Sequence, residues 1–271
     1  MRRVLLTLAV LCLSASMASA DWAETDGHKM HWPQLPDPLG WDIDVTAPNI
    51  VADDWMCSRT GPVKDIHIWF SLEQDGAGVN PEEIISQVES LRLSIHKDIP
   101  AIPGTPDGYS RPGELLWEYF PQDPVIAGPR FGSQGWADPA DGVWRPGDHS
   151  MFFQANIFID DPRDAFVQHE GEIYWLDVDI KMVDGYEGSH LGWKTTFRTK
   201  DRPGGGWNDD AVYWVEGPIG GAGHWAELWE FGDMGGTSLD MAFVITPEPS
   251  TIAMLVGVCA MGLMAYLRRR K

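Results

Sequence analysis

The sequence predicts an all-β fold, an antiparallel β-sandwich of jelly-roll type with one short helix. Short apolar segments alternate with polar residues at the two-residue period of a strand, and clusters of Gly, Pro, Asp and Asn separate these segments. No strand–helix–strand alternation is visible. Two packed antiparallel sheets are the architecture in which many short strands of this kind bury one face each.

The clearest strand is predicted in residues 65–72, where Ile, Phe and Leu alternate with Asp, His, Trp and Ser. One face is therefore apolar and the other mixed, which is typical of a half-buried strand. Residues 91–99 alternate in the same way. Further strands are predicted at 114–120, 151–159, 173–183, 193–199, 211–216, 226–231 and 238–246.

One short helix is expected after residue 80. Asn80 can cap it, Pro81 suits the first helical position, and Glu82 and Glu83 favour the positive end of the helix dipole.

The two ends of the chain predict export. Residues 1–20 combine Arg2 and Arg3, an apolar stretch and a closing Ala-Ser-Ala, which is the pattern of a secretory signal peptide handled by the Sec machinery and cleaved by signal peptidase before Asp21. Residues 252–267 carry no charge, and a helix of that length spans about 24 Å, which makes it a marginal transmembrane helix. The cations that follow place the C-terminus on the cytoplasmic side: Arg268, Arg269, Arg270 and Lys271.

Between these ends, residues 21–246 are predicted to form one acidic domain whose Pro-rich start, residues 21–48, is an extended surface arm. The signal holds two and the tail four of the 20 Lys and Arg, and the tail holds one of the 40 Asp and Glu, so the domain has a net charge of −25. This charge excludes nucleic acid as a partner. Cys57 has no second cysteine within the domain, and it is either a reactive thiol or a small buried residue.

No catalytic or cofactor motif is present, so the sequence predicts a non-enzymatic protein. The eight histidines do not form any of the spaced motifs that bind a transition metal. Four carboxylates lie in pairs on single faces of predicted strands: Glu114 with Glu118, and Asp177 with Asp179. Each pair is either part of a glycosidase-like active site or part of a solvated surface. Three acid pairs at predicted strand ends are interpreted either as a structural Ca²⁺ site or as turn residues: Asp53 and Asp54, Asp160 and Asp161, Asp209 and Asp210.

All 14 tryptophans lie in the predicted domain. Those inside strands, such as Trp69 and Trp175, are expected in the core. Four lie in predicted loops and either stack on sugar rings of a ligand or close the ends of the sandwich: Trp136, Trp144, Trp207 and Trp225.

The tail resembles a known family of sorting signals. Pro247, Glu248 and Pro249 precede the uncharged span and the basic terminus, and this order closely resembles the PEP-CTERM sorting signal. The resemblance covers about 25 residues and implies an exosortase-type sorting enzyme as partner, in bacteria that make exopolysaccharide. Segments such as HWPQLPDPLGWDIDV and WNDDAVYW also resemble an uncharacterised domain of other PEP-CTERM proteins, which implies a sandwich fold and export and no catalytic residue.

The sequence thus leads to one expectation with an alternative. The protein is expected to be exported, membrane-anchored by its C-terminal span and then displayed at the cell surface or in the extracellular matrix, with exopolysaccharide as a candidate ligand. The alternative is a secreted glycan hydrolase or lyase, which the acidic, Trp-rich composition favours.

Overall fold

The computed structural model describes residues 22, 27–76, 79–105, 108–186, 188–197, 211–217, 222–230 and 238–246. The described strands carry two large sheets and one two-stranded ribbon. The elements are β1 Trp41–Asp44, β2 Val51–Met56, β3 Gly61–Pro62, β4 Asp65–Leu72, α1 Pro81–Ile85, β5 Val88–Ile99, β6 Arg111–Tyr119, β7 Val125–Asp138, β8 Val143–Phe158, β9 Val167–Gln168, β10 Ile173–Met182, β11 Leu191–Lys194, β12 Val212–Val215, β13 His224–Glu227 and β14 Phe243–Ile245.

The first sheet closes into a five-stranded barrel. Its order is β11-β1-β7-β8-β4, and β11 pairs back onto β4, so that Phe70 lies opposite Trp193. The strand β14 continues the same edge of β4, with Val244 opposite His67. Within this sheet β1 and β7 run parallel, and the other pairs are antiparallel.

The second sheet is a half-barrel of order β13-β12-β2-β10-β5-β6. Its two edges approach each other where the Tyr109 hydroxyl donates to the Trp225 carbonyl at 2.5 Å. Trp175 lies on the concave face between these edges, fully buried together with Ala52 and Val212. The curvature therefore gives this sheet a small apolar centre of its own.

The main core lies between the barrel and the half-barrel. Ile43, Ile68 and Trp193 point outward from the barrel and are buried in one apolar cluster with Leu93 of β5 and Leu176 of β10. Because strand side chains alternate in direction, the residues between those outward ones point into the barrel. Both faces of β4 are consequently buried, whereas the sequence predicted only one buried face.

The prediction of an all-β fold is confirmed, and α1 lies where a helix was expected. Asn80 occupies the N-cap position of α1, although its side chain makes no capping hydrogen bond. A jelly-roll sandwich of two open sheets is not confirmed, because one sheet closes on itself. The sequence did not predict β1, β2 or β7. β1 has only four residues and lies in a Pro- and Gly-rich stretch, and paired acids interrupt the alternation of β2. Gly and Pro interrupt that of β7, which has three register shifts along its pairing with β8.

The expectation of a surface arm over residues 21–48 is wrong for its described part. Trp22 and Met30 are buried, Met30 forms a β-bridge to Cys57, and β1 is a strand of the barrel. β1 belongs to the barrel because it pairs with β11 on one side and with β7 on the other.

The predicted signal peptide and the C-terminal segment 247–271 lie outside the described residues. Among the residues that are described, no helix is long and apolar enough to cross a membrane.

Gly192 of β11 allows the barrel to close tightly. A Cβ at this position would lie 2.6 Å from a ring carbon of Trp136 and 3.0 Å from the Asp42 Cβ. Gly192→Ala is expected to lower the free energy of unfolding by about 1–3 kcal/mol, because the added methyl group overpacks the interior. Urea denaturation measures this change. Gly188→Ala is the control, since a Cβ there would have no described atom within 4 Å; equal losses in the two variants would contradict the tight packing at Gly192.

Candidate functional site

The interior of the barrel is centred on a buried ion cluster. Asp42 of β1 and Lys194 of β11 lie opposite each other, and both side chains are completely buried. Lys194 Nζ donates to Asp42 Oδ2 at 2.9 Å, and His149 Nε2 of β8 donates to the same oxygen at 2.9 Å. The cluster thereby connects three strands of the barrel.

The surroundings of His149 favour its charged form. Its Nδ1 faces Asp148 Oδ2 at 3.3 Å while Nε2 faces Asp42, so both ring nitrogens need a proton to donate. Burial by itself would lower the pKa of His149, but the hydrogen bond and charge of Asp42 outweigh burial and leave that pKa raised. Burial would likewise raise the pKa of Asp42, but Lys194 and His149 together leave it lowered.

A pocket of about 370 Å³ opens from the barrel interior to the surface, and we call it the barrel-mouth pocket. Trp69 of β4, Phe152 of β8 and Arg130 of β7 form its inner part. Its remaining described lining is Trp22, Leu35, Pro36, Pro38 and Phe197. Small-molecule sites often occupy barrel mouths and have volumes of about 300–1,000 Å³.

Aromatic rings dominate the walls of the barrel-mouth pocket. The ring of Trp22 meets Trp69 edge-on, with centroids 6.3 Å apart. Phe197 lies at the entrance with 36% of its surface exposed, whereas Trp69 and Phe152 are buried. Lys194 Nζ lies 5.5 Å from the centre of the Phe152 ring, so the ion cluster contacts the inner wall of the pocket.

Several buried polar atoms on the barrel strands have no hydrogen-bond partner among the described residues, and one of them belongs to Trp69 of the pocket. They are Trp69 Nε1, Ser71 Oγ, Gln134 Oε1 and Asp42 Oδ1, all on strands of the barrel. A buried polar atom without a partner costs about 1–3 kcal/mol, and such atoms commonly bind water or a ligand. Arg130 is held in place by its Nη2, which donates to Gln154 Oε1 at 3.1 Å.

A larger cavity of about 410 Å³ lies between the barrel and the half-barrel. Its inner wall consists of core side chains such as Ile68, Phe70 and Leu91, and its rim includes Glu89 and Asp123. Phe70 is its one aromatic residue among those described. The barrel-mouth pocket is therefore the better candidate site, because it combines several aromatic rings with a cation.

Comparison with known protein families identifies one family that matches most of the chain. Residues 30–246 match DUF7901, a domain of unknown function. The chain belongs to this family. No curated protein and no solved structure shows a significant match to the chain. The function of this DUF7901 protein must therefore be argued from the geometry of its sites.

Three of the four tryptophans that the sequence placed in loops lie on strands of the DUF7901 domain. Trp136 is in β7 and only 1% exposed, so its ring has no free face for a ligand. Trp144 in β8 packs edge-on against Trp41, and Trp225 in β13 packs edge-on against Trp214. Trp207 lies outside the described residues. The loop placement was wrong because glycines and prolines near these residues belong to irregular strands rather than to turns.

The acid pairs proposed for Ca²⁺ are dispersed. Asp53 and Asp54 lie within β2 rather than at its end, and Asp53 accepts hydrogen bonds from the Asp54 and Met241 amides. Asp161 pairs with Arg163 in the turn after β8, and Asp160 precedes it. Asp209 and Asp210 lie outside the described residues. In the described part of the chain, no three His, Cys, Asp or Glu side chains are grouped to hold a metal ion.

Three of the four candidate carboxylates of the alternative active site come together on the concave face of the half-barrel. Arg92 pairs with Asp179, with Asp177 at 3.4 Å and with Glu118 at 3.6 Å. The remaining carboxylate, Glu114, is exposed on β6.

His96 joins this Arg92 cluster as a double donor. Its Nε2 donates to Asp177 at 2.6 Å and its Nδ1 donates to the Gly113 carbonyl at 3.0 Å. Burial would lower the pKa of His96, but Asp177 outweighs burial and leaves that pKa raised. A histidine in this state does not act as a general base, because neither ring nitrogen is free to accept a proton.

Cys57 is buried, with 1% of its surface exposed, and its thiol donates to the Arg59 carbonyl at 3.1 Å. Burial raises the pKa of this thiol, which disfavours the reactive thiolate. Of the two interpretations of Cys57, the structure supports the small buried residue.

Sequence reasoning missed most of the barrel-mouth pocket. Trp69 was assigned to the core because it lies in a strand, and Arg130 and Phe152 were not singled out. One feature of the sequence could have indicated the pocket. The mixed face of residues 65–72 carries His, Trp and Ser, and a large aromatic residue among polar ones is compatible with a buried polar interior.

The histidine–carboxylate pairs make stability depend on pH. The pKa values of His96, His149 and His190 are raised in the folded protein above the ordinary value of about 6.5. Their stabilising contribution is therefore complete below about pH 6.5 and is lost as the pH rises through the folded pKa values. We expect the free energy of unfolding, measured by urea denaturation, to fall from pH 6.5 towards pH 9.

His149→Gln should reduce this pH dependence, because it removes one of the three pairs. The control is His28→Gln, since the ring of His28 contacts the Met30 carbonyl at 2.7 Å instead of a carboxylate. An unchanged slope in His149→Gln would show that the buried ion cluster does not contribute to the pH dependence.

Proposed function

We propose that this DUF7901 protein is an exported, non-enzymatic protein of the cell envelope or extracellular matrix that binds polysaccharide in the barrel-mouth pocket. The observation that carries the proposal is the aromatic lining of that pocket: Trp22, Trp69, Phe152 and Phe197 surround a space large enough for a small ligand.

Aromatic walls suit a sugar because one face of a pyranose ring presents C–H groups and its edge presents hydroxyl groups. The rings bury the apolar face, and polar atoms near the walls bond the edge. Trp69 lines the pocket and its buried indole N–H has no partner among the described residues, so this N–H is the candidate donor for the second role.

The proposed location rests on the two ends of the sequence. The signal-like start and the PEP-CTERM-like tail favour export followed by sorting, and the net charge of −25 of residues 21–246 suits a soluble, displayed domain. Exopolysaccharide outside the cell is then the polysaccharide within reach of the pocket.

Binding is favoured over glycan hydrolysis by the state of the carboxylates. A glycosidase needs one carboxyl group as an acid and another as a base or nucleophile, both facing the substrate. In the Arg92 cluster, by contrast, Asp177 and Asp179 are neutralised by Arg92 and His96 and are mostly buried.

Phe197→Ala is expected to weaken polysaccharide binding about fivefold, since a stacked aromatic contact is worth about 1 kcal/mol. Affinity electrophoresis of the purified protein in gels that contain dextran, galactomannan, alginate or polygalacturonate measures this effect as lost retardation. Phe131→Ala is the matched control, because Phe131 is 69% exposed and lies outside the pocket lining.

Lack of retardation of the wild-type protein by every polysaccharide would overturn the binding proposal. Release of new reducing ends during the same incubations would instead support the hydrolase, provided that Asp177→Asn abolishes it.

Mass spectrometry of the protein from its native cells tests the sorting proposal. The expected chain begins at Asp21 and ends near Pro247 to Pro249, because signal peptidase and the sorting enzyme remove the two ends. An intact chain to Lys271 would mean a plain membrane anchor and would contradict sorting by cleavage.

A further inference from the structure

We infer that the cavity of about 410 Å³ between the barrel and the half-barrel binds the aliphatic chain of a ligand whose polar head carries no negative charge. We call it the inter-sheet cavity. Its described lining and that of the barrel-mouth pocket have no residue in common, so the inference adds a second site and does not depend on polysaccharide binding. The observation behind it is that the inner wall is aliphatic while the polar lining residues lie at the mouth.

The inner wall of the inter-sheet cavity comes from both sheets. Ile68 and Phe70 of β4 and Leu191 of β11 belong to the barrel, and Leu91 of β5 and Ile180 of β10 belong to the half-barrel. All five residues are at most 7% exposed, and all five are members of the main apolar core. The cavity is therefore continuous with that core rather than with the polar interior of the barrel.

The mouth of the inter-sheet cavity is defined by the lining residues that solvent reaches. They are Ser86 directly after α1, Glu89 of β5, and Gln122 and Asp123 between β6 and β7. The cavity is thus apolar at its inner end and polar where it meets water. This arrangement matches an amphiphile that inserts its chain and leaves its head at the surface.

An aliphatic chain suits the inner wall better than water does. A cavity lined by Leu, Ile and Phe stays dry and takes up apolar molecules, as an engineered cavity of about 150 Å³ takes up benzene. A methylene group needs about as much room as a water molecule, about 30 Å³, so the inter-sheet cavity holds a chain of about ten to fourteen carbons. Such a chain supplies the van der Waals contacts that side chains facing an empty space lack.

The charges at the mouth disfavour an anionic head. Glu89 and Asp123 both line the cavity, and the ammonium group of Lys181 is paired with Glu89 at 2.7 Å. The surrounding residues 21–246 have a net charge of −25. A fatty-acid carboxylate or a phosphate head therefore meets like charges, whereas an alcohol or an ammonium head does not.

Isothermal titration calorimetry of the purified protein tests the inference with three probes that share a ten-carbon chain: decanol, decyltrimethylammonium and decanoate. At pH 7.5 and low ionic strength we expect the first two to bind, and decanoate to bind at least about fivefold more weakly than decanol. This difference should shrink at high salt, because salt screens the carboxylates at the mouth. Affinity should rise about fourfold for each methylene group added from hexanol to decanol, since each group leaves water.

Two variants assign the binding to the inter-sheet cavity. Val88→Trp places a large ring in the cavity and should abolish decanol binding. Ile85→Trp fills the cavity from α1 and replaces Val88→Trp if thermal unfolding shows that the latter is not folded. Ile102→Trp is the matched control, because Ile102 is 60% exposed and lies outside the cavity lining.

Asp123→Asn tests the role of charge at the mouth. It removes one negative charge there, so it should tighten decanoate binding and leave decanol binding unchanged. Glu170→Gln is the control for the loss of one negative charge, since Glu170 is exposed and lies outside the cavity lining.

Three results would overturn parts of this inference. If neither decanol nor decyltrimethylammonium binds the wild-type protein, the inter-sheet cavity is not a ligand site. If a folded Val88→Trp or Ile85→Trp variant binds decanol as the wild type does, the ligand lies elsewhere. If decanoate binds as tightly as decanol, the assignment of the head is wrong. The same Trp variants should keep their retardation in the polysaccharide gels, so a failure here leaves the proposed function standing.

Discussion

The buried ion cluster of Asp42, Lys194 and His149 is the interaction on which the barrel depends. It joins β1, β11 and β8 inside a closed sheet, where unpaired charges would each cost several kcal/mol. Removing one member of such a cluster leaves a buried charge without its partner, whereas in the complete cluster the opposite charges offset one another. The cluster therefore links three strands of the ring and explains why a lysine and an aspartate can be entirely buried in this fold.

A polar barrel interior reverses the usual arrangement of a closed sheet. The outward side chains of the barrel form the main apolar core against the half-barrel, and the inward ones include charged, amide, hydroxyl and aromatic side chains. Such groups pack less completely than aliphatic side chains and leave polar atoms without partners, such as Trp69 Nε1 and Ser71 Oγ. The barrel-mouth pocket lies where this interior reaches the surface, with buried aromatic rings in its inner part and the partly exposed Phe197 at its entrance.

The two charged clusters of the protein have different consequences. In the Arg92 cluster, on the concave face of the half-barrel, the carboxylates are paired with Arg92 and His96. We therefore interpret this cluster as structural. At the barrel mouth, by contrast, Arg130 lies among apolar and aromatic residues, with no carboxylate in the described lining. The aromatic walls of the barrel-mouth pocket, rather than its charges, therefore mark it as the candidate binding site.

The all-β class, most of the strands with regular alternation and the position of α1 could be predicted from the sequence, because strand periodicity and helix-start signals are local properties. Its two ends also predict export and sorting, because such signals are recognised as linear motifs. Only the tertiary structure decided that the mixed face of β4 is buried, that residues 41–44 form a barrel strand, and that Trp136 is internal while Trp69 lines a pocket. The physical reason is that sheet closure depends on pairing between residues far apart in the chain, such as Asp42 with Lys194, and an alternating pattern shows two faces without showing which of them water reaches.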